Sequence, residues 1–359
     1  MAASPITEAA LRAALARFQD PETGRSITQL DQVHQLRLED GRASITLGLT
    51  TWAAPLWEET GVELEDWLKN QFPGLQVTVA VAEHSRPPEK MGQTGLAVKS
   101  LIAVGSGKGG VGKSSVAVLL AAALARAGCK VGLLDADVYG PSVPHLLGAK
   151  EQPQVVDDQI EPIEVSGMKV MSLGLLVPPG EAVIWRGPML HGAVTQFLRD
   201  TAWGELDYLI VDMPPGTGDV ALSLAQLAPL AGAVVVCTPQ DVALLDATKA
   251  IAMYRKVDLA LCGMVENMSF FVCPHCGARE DLFGAGGARR RAAELQVPFL
   301  GEVPLMKQLR VLADQGRLTE ALDDPPARPY LEAICHGLVR GLAARRRQNP
   351  RLPALPLLG

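Results

Sequence analysis

The sequence predicts an α/β protein: a P-loop NTPase domain on a mostly parallel, doubly wound sheet, preceded by a small α+β domain. Three observations predict it. Beyond residue 100, short aliphatic runs at 101–104, 131–134, 208–211, 233–237 and 259–265 alternate with helical stretches. Runs that are apolar at every position belong to parallel strands covered on both faces by helices. The first run leads into Gly107-Lys108-Gly109-Gly110-Val111-Gly112-Lys113-Ser114, a complete G-x-x-x-x-G-K-[ST] loop between a strand and an Ala/Leu helix ending near Gly128. Before residue 84, the period-two alternation of a half-buried sheet appears instead.

The 359 residues have room for two domains at roughly 100–200 residues each. Hydrophobic residues at 48% and charged residues at 20% fit a globular chain, and the 4% aromatic content makes the core aliphatic and Ala-rich. A net charge of −6 gives no bulk attraction to nucleic acid or anionic lipid. Neither nucleic-acid binding nor stable membrane association is therefore expected. The first residues lack a basic start followed by an apolar stretch. The best apolar run, 116–125, is shorter than the roughly 18 residues that span a bilayer. A cytoplasmic location is expected, where six cysteines read as thiols or metal ligands rather than disulfides.

In chain order, 1–84 reads as the small domain. A helix over 7–18 precedes the turn Asp20-Pro21-Glu22-Thr23-Gly24. Asp40-Gly41 joins strands 33–39 and 42–49, where Ile45, Leu47 and Leu49 alternate with Ser44, Thr46 and Gly48. A helix over 56–72 and a strand through Val77, Val79 and Val81 complete the unit. Residues 85–99, polar with Pro-Pro and Gly, read as a linker. The ATPase domain is expected over 100–348, and the Pro-rich tail 349–359 is expected to be irregular.

The loop glycines let backbone N–H groups close around phosphate oxygens, and the following helix N-terminus adds its positive end. Lys113 reaches the outer phosphates, and the Ser114 hydroxyl is placed to ligate Mg²⁺. The same stretch also fits the dinucleotide pattern G-x-G-x-x-G from Gly105 to Gly110, with Asp135 loosely answering for the ribose acid, but that reading leaves Lys113 and Ser114 without a role. Leu133-Leu134-Asp135-Ala136-Asp137 places carboxylates at the C-terminal sheet edge, and Leu209-Ile210-Val211-Asp212 has the form of a Walker B strand. Because Mg²⁺ prefers one or two carboxylates with water and phosphate, Ser114, Asp212 and one of the earlier pair suffice. Pro214-Pro215-Gly216-Thr217-Gly218-Asp219 reads as a loop suited to sensing the γ-phosphate.

Cys273-Pro274-His275-Cys276 is a C-x-x-C loop. Two thiolates complete neither a tetrahedral zinc site nor a four-iron cluster, whereas a two-fold dimer supplies four. The residues alone leave a zinc half-site, a redox dithiol and incidental thiols open, with composition favouring zinc. Cys129, Cys237, Cys262 and Cys335 read as packed core thiols and His275 as a surface residue.

Lys108, inside the loop, makes the sequence similar to the deviant Walker A ATPases, the class of MinD, ParA and nitrogenase iron protein. That resemblance implies nucleotide-linked dimerisation, with Lys108 crossing to the partner's nucleotide. Over nearly the whole chain the sequence resembles the Mrp/ApbC family of iron-sulfur cluster carrier ATPases. The resemblance rests on the loop and on Asp135-Ala136-Asp137-Val138-Tyr139-Gly140-Pro141-Ser142, Trp185-Arg186-Gly187-Pro188, residues 212–219, Thr238-Pro239-Gln240-Asp241, Glu266-Asn267-Met268-Ser269 and the cysteine loop. The N-terminal unit resembles the iron-sulfur assembly domain often fused ahead of these ATPases. The family implies ATP binding through Gly107, Lys108, Gly109, Gly110, Val111, Gly112, Lys113, Ser114 and Ser115, with Asn267 at the adenine. It implies hydrolysis with Lys108, Lys113, Asp137 and Asp212, Mg²⁺ held by Ser114, Asp137 and Asp212, and Asp137 orienting the attacking water. Asp135 is left a structural or switch role. It also implies a homodimer that bridges a labile [4Fe-4S] cluster through Cys273 and Cys276 of each subunit, with a cluster assembly scaffold and apo iron-sulfur proteins as partners.

Two departures matter. Ser114 stands where Thr is common and fills the same role. Thr50-Thr51-Trp52-Ala53-Ala54-Pro55 lacks the cysteine that many relatives carry before the proline, so the N-terminal domain reads as a docking module. The competing class is a MinD/ParA-like spatial organiser with a structural zinc or redox C-x-x-C. Its candidate feature is the stripe Leu331, Ile334, Leu338 and Leu342 followed by Ala343-Ala344-Arg345-Arg346-Arg347. Packing on the ATPase core also explains the stripe, and Pro350, Pro353 and Pro356 interrupt any helical extension.

Overall fold

The structure, a computed structural model, describes residues 6–91, 94–137, 140–176, 187–216, 224–273 and 275–350. It divides into two compact units, Met1–Arg86 with Val339–Gly359, and Pro87–Leu338.

In the first unit, Thr7 caps the helix Glu8–Leu15 by accepting a hydrogen bond from the Ala10 amide at 3.2 Å. Strands β1 (Val33–Glu39) and β2 (Arg42–Leu49) form the expected hairpin with Glu39 opposite Arg42. Asp40 and Gly41 take φ of +45° and +74°, as a two-residue turn matched to strand twist requires. The helix Trp57–Gln71 then carries the chain over to β3 (Gln76–Glu83), which runs parallel to β2. Leu11, Leu15, Ile45, Leu47, Leu64 and Leu68 fill the core between sheet and helices. Beneath them lies a polar knot. Asp20, fully buried, accepts from the Thr23 amide and hydroxyl and from Gln32 Nε2, and Arg86 reaches both Asp20 and Glu22 at 2.9 Å.

The observed boundaries differ from the expected ones. Arg86, expected in a linker, is tied into the first unit by those two carboxylates. The helix Arg328–Gln348, expected wholly in the ATPase domain, gives its residues from Val339 onward to the first unit. There Arg347 makes a two-pronged pair with Glu63 (2.9 and 2.7 Å), Arg340 meets Glu59 at 2.9 Å, and the backbone of Arg346 sits where a Cβ on Gly24 would fall.

The second unit holds the mostly parallel sheet. Its strands are β4 (Lys90–Met91), β5 (Leu96–Ser106), β6 (Val131–Asp135), β9 (Ile163–Val165), β10 (Met168–Ser172), β11 (Leu206–Asp212), β12 (Leu230–Cys237), β13 (Leu261–Val272), β14 (Arg279–Glu280) and β15 (Phe299–Leu305), while β7 (Gln154–Val156) and β8 (Gln159–Glu161) pair apart from it. The order is β14-β13-β12-β5-β11-β6-β10-β9, with β15 on β13 and β4 on β5. Strand β5 begins five residues before the expected run at 101, so part of the expected linker is sheet. The interior of β5, β6 and β11 is buried at nearly every position, which explains the unbroken aliphatic runs. The chain passes from β5 to β6, returns to β11 between them, then crosses to β12 on the other side of β5. The crevice at such a reversal is where open α/β sheets bind ligands.

Cys129, Cys237, Cys262 and Cys335 are buried, as expected. Leu331, Ile334, Leu338 and Leu342 are at most 4% exposed, so the apolar stripe is core rather than a free face. No described helix is long and apolar enough to cross a membrane.

Candidate functional site

Strand β5 delivers the glycine loop to the C-terminal sheet edge. The Ser106 hydroxyl donates to the Lys108 carbonyl at 2.9 Å, shaping the turn, and Lys108 itself is half-buried. Gly107 has no room for a side chain, because a Cβ would lie 2.1 Å from the Asp246 carbonyl. Gly110 and Gly112 adopt φ of +79° and +76°, the left-handed region that glycine enters without strain. Gly112 directly precedes the helix Lys113–Arg126, whose unpaired first amides and dipole favour an anion.

Lys113 is 6% exposed and its Nζ lies 2.6 Å from Asp212 Oδ1, 3.5 Å from Asp137 Oδ2 and 3.2 Å from Ser114 Oγ. Register explains the convergence: Asp212 at the end of β11 stands beside Val104 of β5 and Asp135 of β6. Burial raises the Asp212 carboxyl above its ordinary range, against the opposing pull of Lys113. Asp212 Oδ2 and Asp137 Oδ1 are both buried without a hydrogen-bond partner among the described residues. Two unsatisfied carboxylate oxygens beside a serine hydroxyl are the hard oxygen donors that Mg²⁺ takes, so the residues fit that ion.

Asp135 faces inward instead. Its oxygens accept from the Asp137 amide (3.1 Å), the Val143 amide (3.2 Å) and the Ser172 hydroxyl (3.0 Å). Burial, reinforced by Asp212, pushes its carboxyl up to about 7. It braces the loop that carries Asp137.

Asn267, on β13, donates from Nδ2 to the Val111 carbonyl at 2.9 Å. With Met268, Gly112, Ser115, Val303 and Leu309 it lines a mostly apolar pocket of about 370 Å³ beside the loop. The same strand ends at the cysteine loop. Phe271 pairs with Glu280 and Val272 with Arg279, and the turn is closed by the Cys273 amide donating to Ala278 O and the Gly277 amide to Cys273 O, each at 2.9 Å. Cys273 is half-buried and Cys276 exposed at the hairpin tip, with His275 also exposed. Hydrogen bonds from the Cys276 and His275 amides hold the Cys273 thiol below its ordinary pKa. Among the described residues, no three His, Cys, Asp or Glu side chains gather as a metal site.

Gly216 of the loop after β11 donates its amide to the Ser106 carbonyl at 3.0 Å. Thr217, Gly218 and Asp219, together with Val138, Tyr139, Trp185 and Arg186, lie outside the described residues. Glu266, a fully buried carboxylate one residue before Asn267, enters the sequence reading only within the motif Glu266-Asn267-Met268-Ser269, with no role of its own.

Residues 97–339 match the family described as NUBPL iron-transfer P-loop NTPase, and residues 8–81 the family described as iron-sulfur cluster assembly protein. An iron-sulfur cluster carrier protein of Deinococcus radiodurans is 50% identical over 311 residues, covering 86% of this chain and 87% of its own length. The iron-sulfur cluster carrier protein of Escherichia coli is 44% identical over 319 residues, 85% of this chain and 84% of that one. A nucleotide-binding protein of Archaeoglobus fulgidus, solved in complex with ADP, matches with a TM-score of 0.56 at 45% identity over 62% of this chain and 88% of that one. The cell division ATPase MinD of Pyrococcus furiosus matches with a TM-score of 0.50 at 21% identity, covering 66% of this chain and 97% of that one, and shares the fold.

Proposed function

The chain belongs to the NUBPL iron-transfer P-loop NTPase family, with an iron-sulfur cluster assembly domain ahead of the NTPase, and on that premise we propose that it carries iron-sulfur clusters to apo-proteins under the control of ATP binding and hydrolysis. The observation that carries this reading is a pair of thiols, half-buried Cys273 and exposed Cys276, in the turn that follows the strand bordering the glycine loop.

The loop amides and Lys113 bind the phosphates of ATP, with the ring in the pocket beside Asn267. Asp137 and Asp212 hold the Lys113 ammonium at the mouth of the loop, an ordered cation for the phosphate oxygens. Ser114, Asp212 and Asp137 would hold Mg²⁺, which neutralises charge on the phosphates. Asp137 orients the water that attacks the γ-phosphorus while the bond to the ADP oxygen breaks. Lys108 reaches the nucleotide of a second copy.

The cargo is a [4Fe-4S] cluster bound by four thiolates, two from each subunit of a homodimer. The other four cysteines are buried, so one chain offers the pair on this hairpin, and a two-fold axis through two hairpin tips doubles it. Hydrolysis drives delivery if ATP and its products favour different dimer states. The N-terminal domain, without a cysteine before Pro55, docks partners, among them a cluster assembly scaffold. The test is Lys113→Ala: the variant is expected to load cluster yet fail to pass it to an apo-protein, and normal ATP-dependent transfer by it would refute the ATP-controlled cycle.

A further inference from the structure

Glu266 is fully buried, and neither phosphate binding nor thiolate ligation uses it. Its two oxygens are committed elsewhere. The Ser269 hydroxyl donates to Oε1 at 2.5 Å, and the backbone N–H of Ala288 donates to Oε2 at 2.7 Å. Ala288 is the second residue of the helix Gly287–Glu294, so the carboxylate also caps a helix start. Between those two anchors the chain makes the excursion that displays Cys273 and Cys276. One side chain thus fastens both ends of the cysteine-bearing segment.

The residue beside it touches the nucleotide loop. Asn267 bonds Val111, and a Cβ on Gly112 would fall 2.1 Å from the Asn267 nitrogen. Met268 follows with φ of +53°, a left-handed conformation that a non-glycine residue holds only under constraint. The register shows why: against β15, Asn267 pairs with Val303 and Phe271 with Leu305, so four steps on β13 oppose two on its neighbour. This is a bulge, held in place by the Ser269–Glu266 bond. Asn267 and Met268 of this bulge also line the pocket beside the glycine loop.

We infer that Glu266 is a positioning residue that makes 266–269 a joint, through which occupancy of the nucleotide loop sets the pose of the Cys273–Cys276 hairpin. The inference rests on the reading of those thiols as the cargo ligands. It deepens that reading by naming where nucleotide and cargo communicate: a bulge with a left-handed Met268, biased from the nucleotide side and read out on the cysteine side.

The test uses the full-length, metal-free protein. Iodoacetamide labelling rates of Cys273 and Cys276 are followed by peptide mass spectrometry with no nucleotide, with Mg-ADP and with a non-hydrolysable Mg-ATP analogue. The wild type is expected to change its Cys273 rate by about fivefold between states, the lower end of ordinary coupling between sites. Glu266→Gln and Ser269→Ala are expected to bind the analogue within about twofold of wild type while that difference collapses toward unity. Ser269→Ala keeps the test alive if Glu266→Gln fails to fold. A nucleotide-insensitive wild type would overturn the inference, as would a difference that persists in both variants. Loss of analogue binding in both would also overturn it, since Glu266 would then be a support of the nucleotide pocket alone. Labelling needs no cluster, so failure of the cargo reading shows separately, as absent cluster uptake by wild type.

Discussion

The side chain of Asn267 lies against Gly112 so closely that any β-carbon there would meet its nitrogen at 2.1 Å, while that nitrogen donates to the carbonyl of the preceding Val111 at 2.9 Å. The glycine that opens the phosphate-loop helix and the strand that ends in the cysteine hairpin are therefore fitted to one another. This contact joins the glycine loop to the strand that leads into Cys273 and Cys276.

Gly112→Ala tests the fit. The substitution forces an L-residue into φ of +76° and displaces Asn267. The left-handed conformation alone costs about 1–2 kcal/mol. ATP binding by calorimetry is expected to weaken at least tenfold, whereas Gly192→Ala, at an exposed helix position where a Cβ would meet nothing within 4 Å, retains it.

Arg86 is the cation of a buried acidic pair, although it lies where the sequence suggests a linker. Removing one partner of such a cluster leaves buried charge uncompensated, at about 3–5 kcal/mol. Arg86→Ala should lower the urea midpoint of the N-terminal unit in the full chain, read from Trp52 and Trp57 fluorescence, and Arg86→Lys should recover part of it. An unchanged midpoint would mean that Asp20 and Glu22 are satisfied without it.

His84 gives that unit a pH dependence. Its Nδ1 lies 3.1 Å from His34 Nε2, and burial, then the positive charge of Arg86, holds its pKa below 6.5. The unfolded chain thus binds a proton that the folded chain refuses. Stability is full above 6.5 and falls as pH drops from there through the folded pKa. His84→Gln should flatten the unfolding midpoint between pH 7 and about pH 5; an unchanged slope would assign the dependence to another group.

Much of the fold is legible because its signals are local. Uniform aliphatic runs announced strands β5, β6, β11, β12 and β13, Asp40-Gly41 announced the hairpin, and the glycine loop announced the crevice. What was not legible is long-range. Lys113 finds Asp212 across 99 residues and Arg86 finds Asp20 across 66, pairings that only tertiary packing determines. Glu266 reads locally as one more polar residue at a strand end, and its partner Ala288 is a backbone amide with no sequence signature. The left-handed Met268 is equally silent, since nothing in its side chain favours that conformation. The last turns of the helix Arg328–Gln348 read as a basic tail, because Glu59 and Glu63, which receive Arg340 and Arg347, lie 281 and 284 residues away.

The central claim is that this chain carries a cluster on paired thiols. The most direct measurement is anaerobic reconstitution with iron and sulfide, followed by Mössbauer spectroscopy and by iron, sulfide and mass determination on the eluted species, beside Cys273→Ala/Cys276→Ala. The account predicts about four irons and four sulfides per dimer, absent from the double variant. Zinc in the isolated protein with no cluster uptake, or a cluster that survives loss of both cysteines, would contradict it.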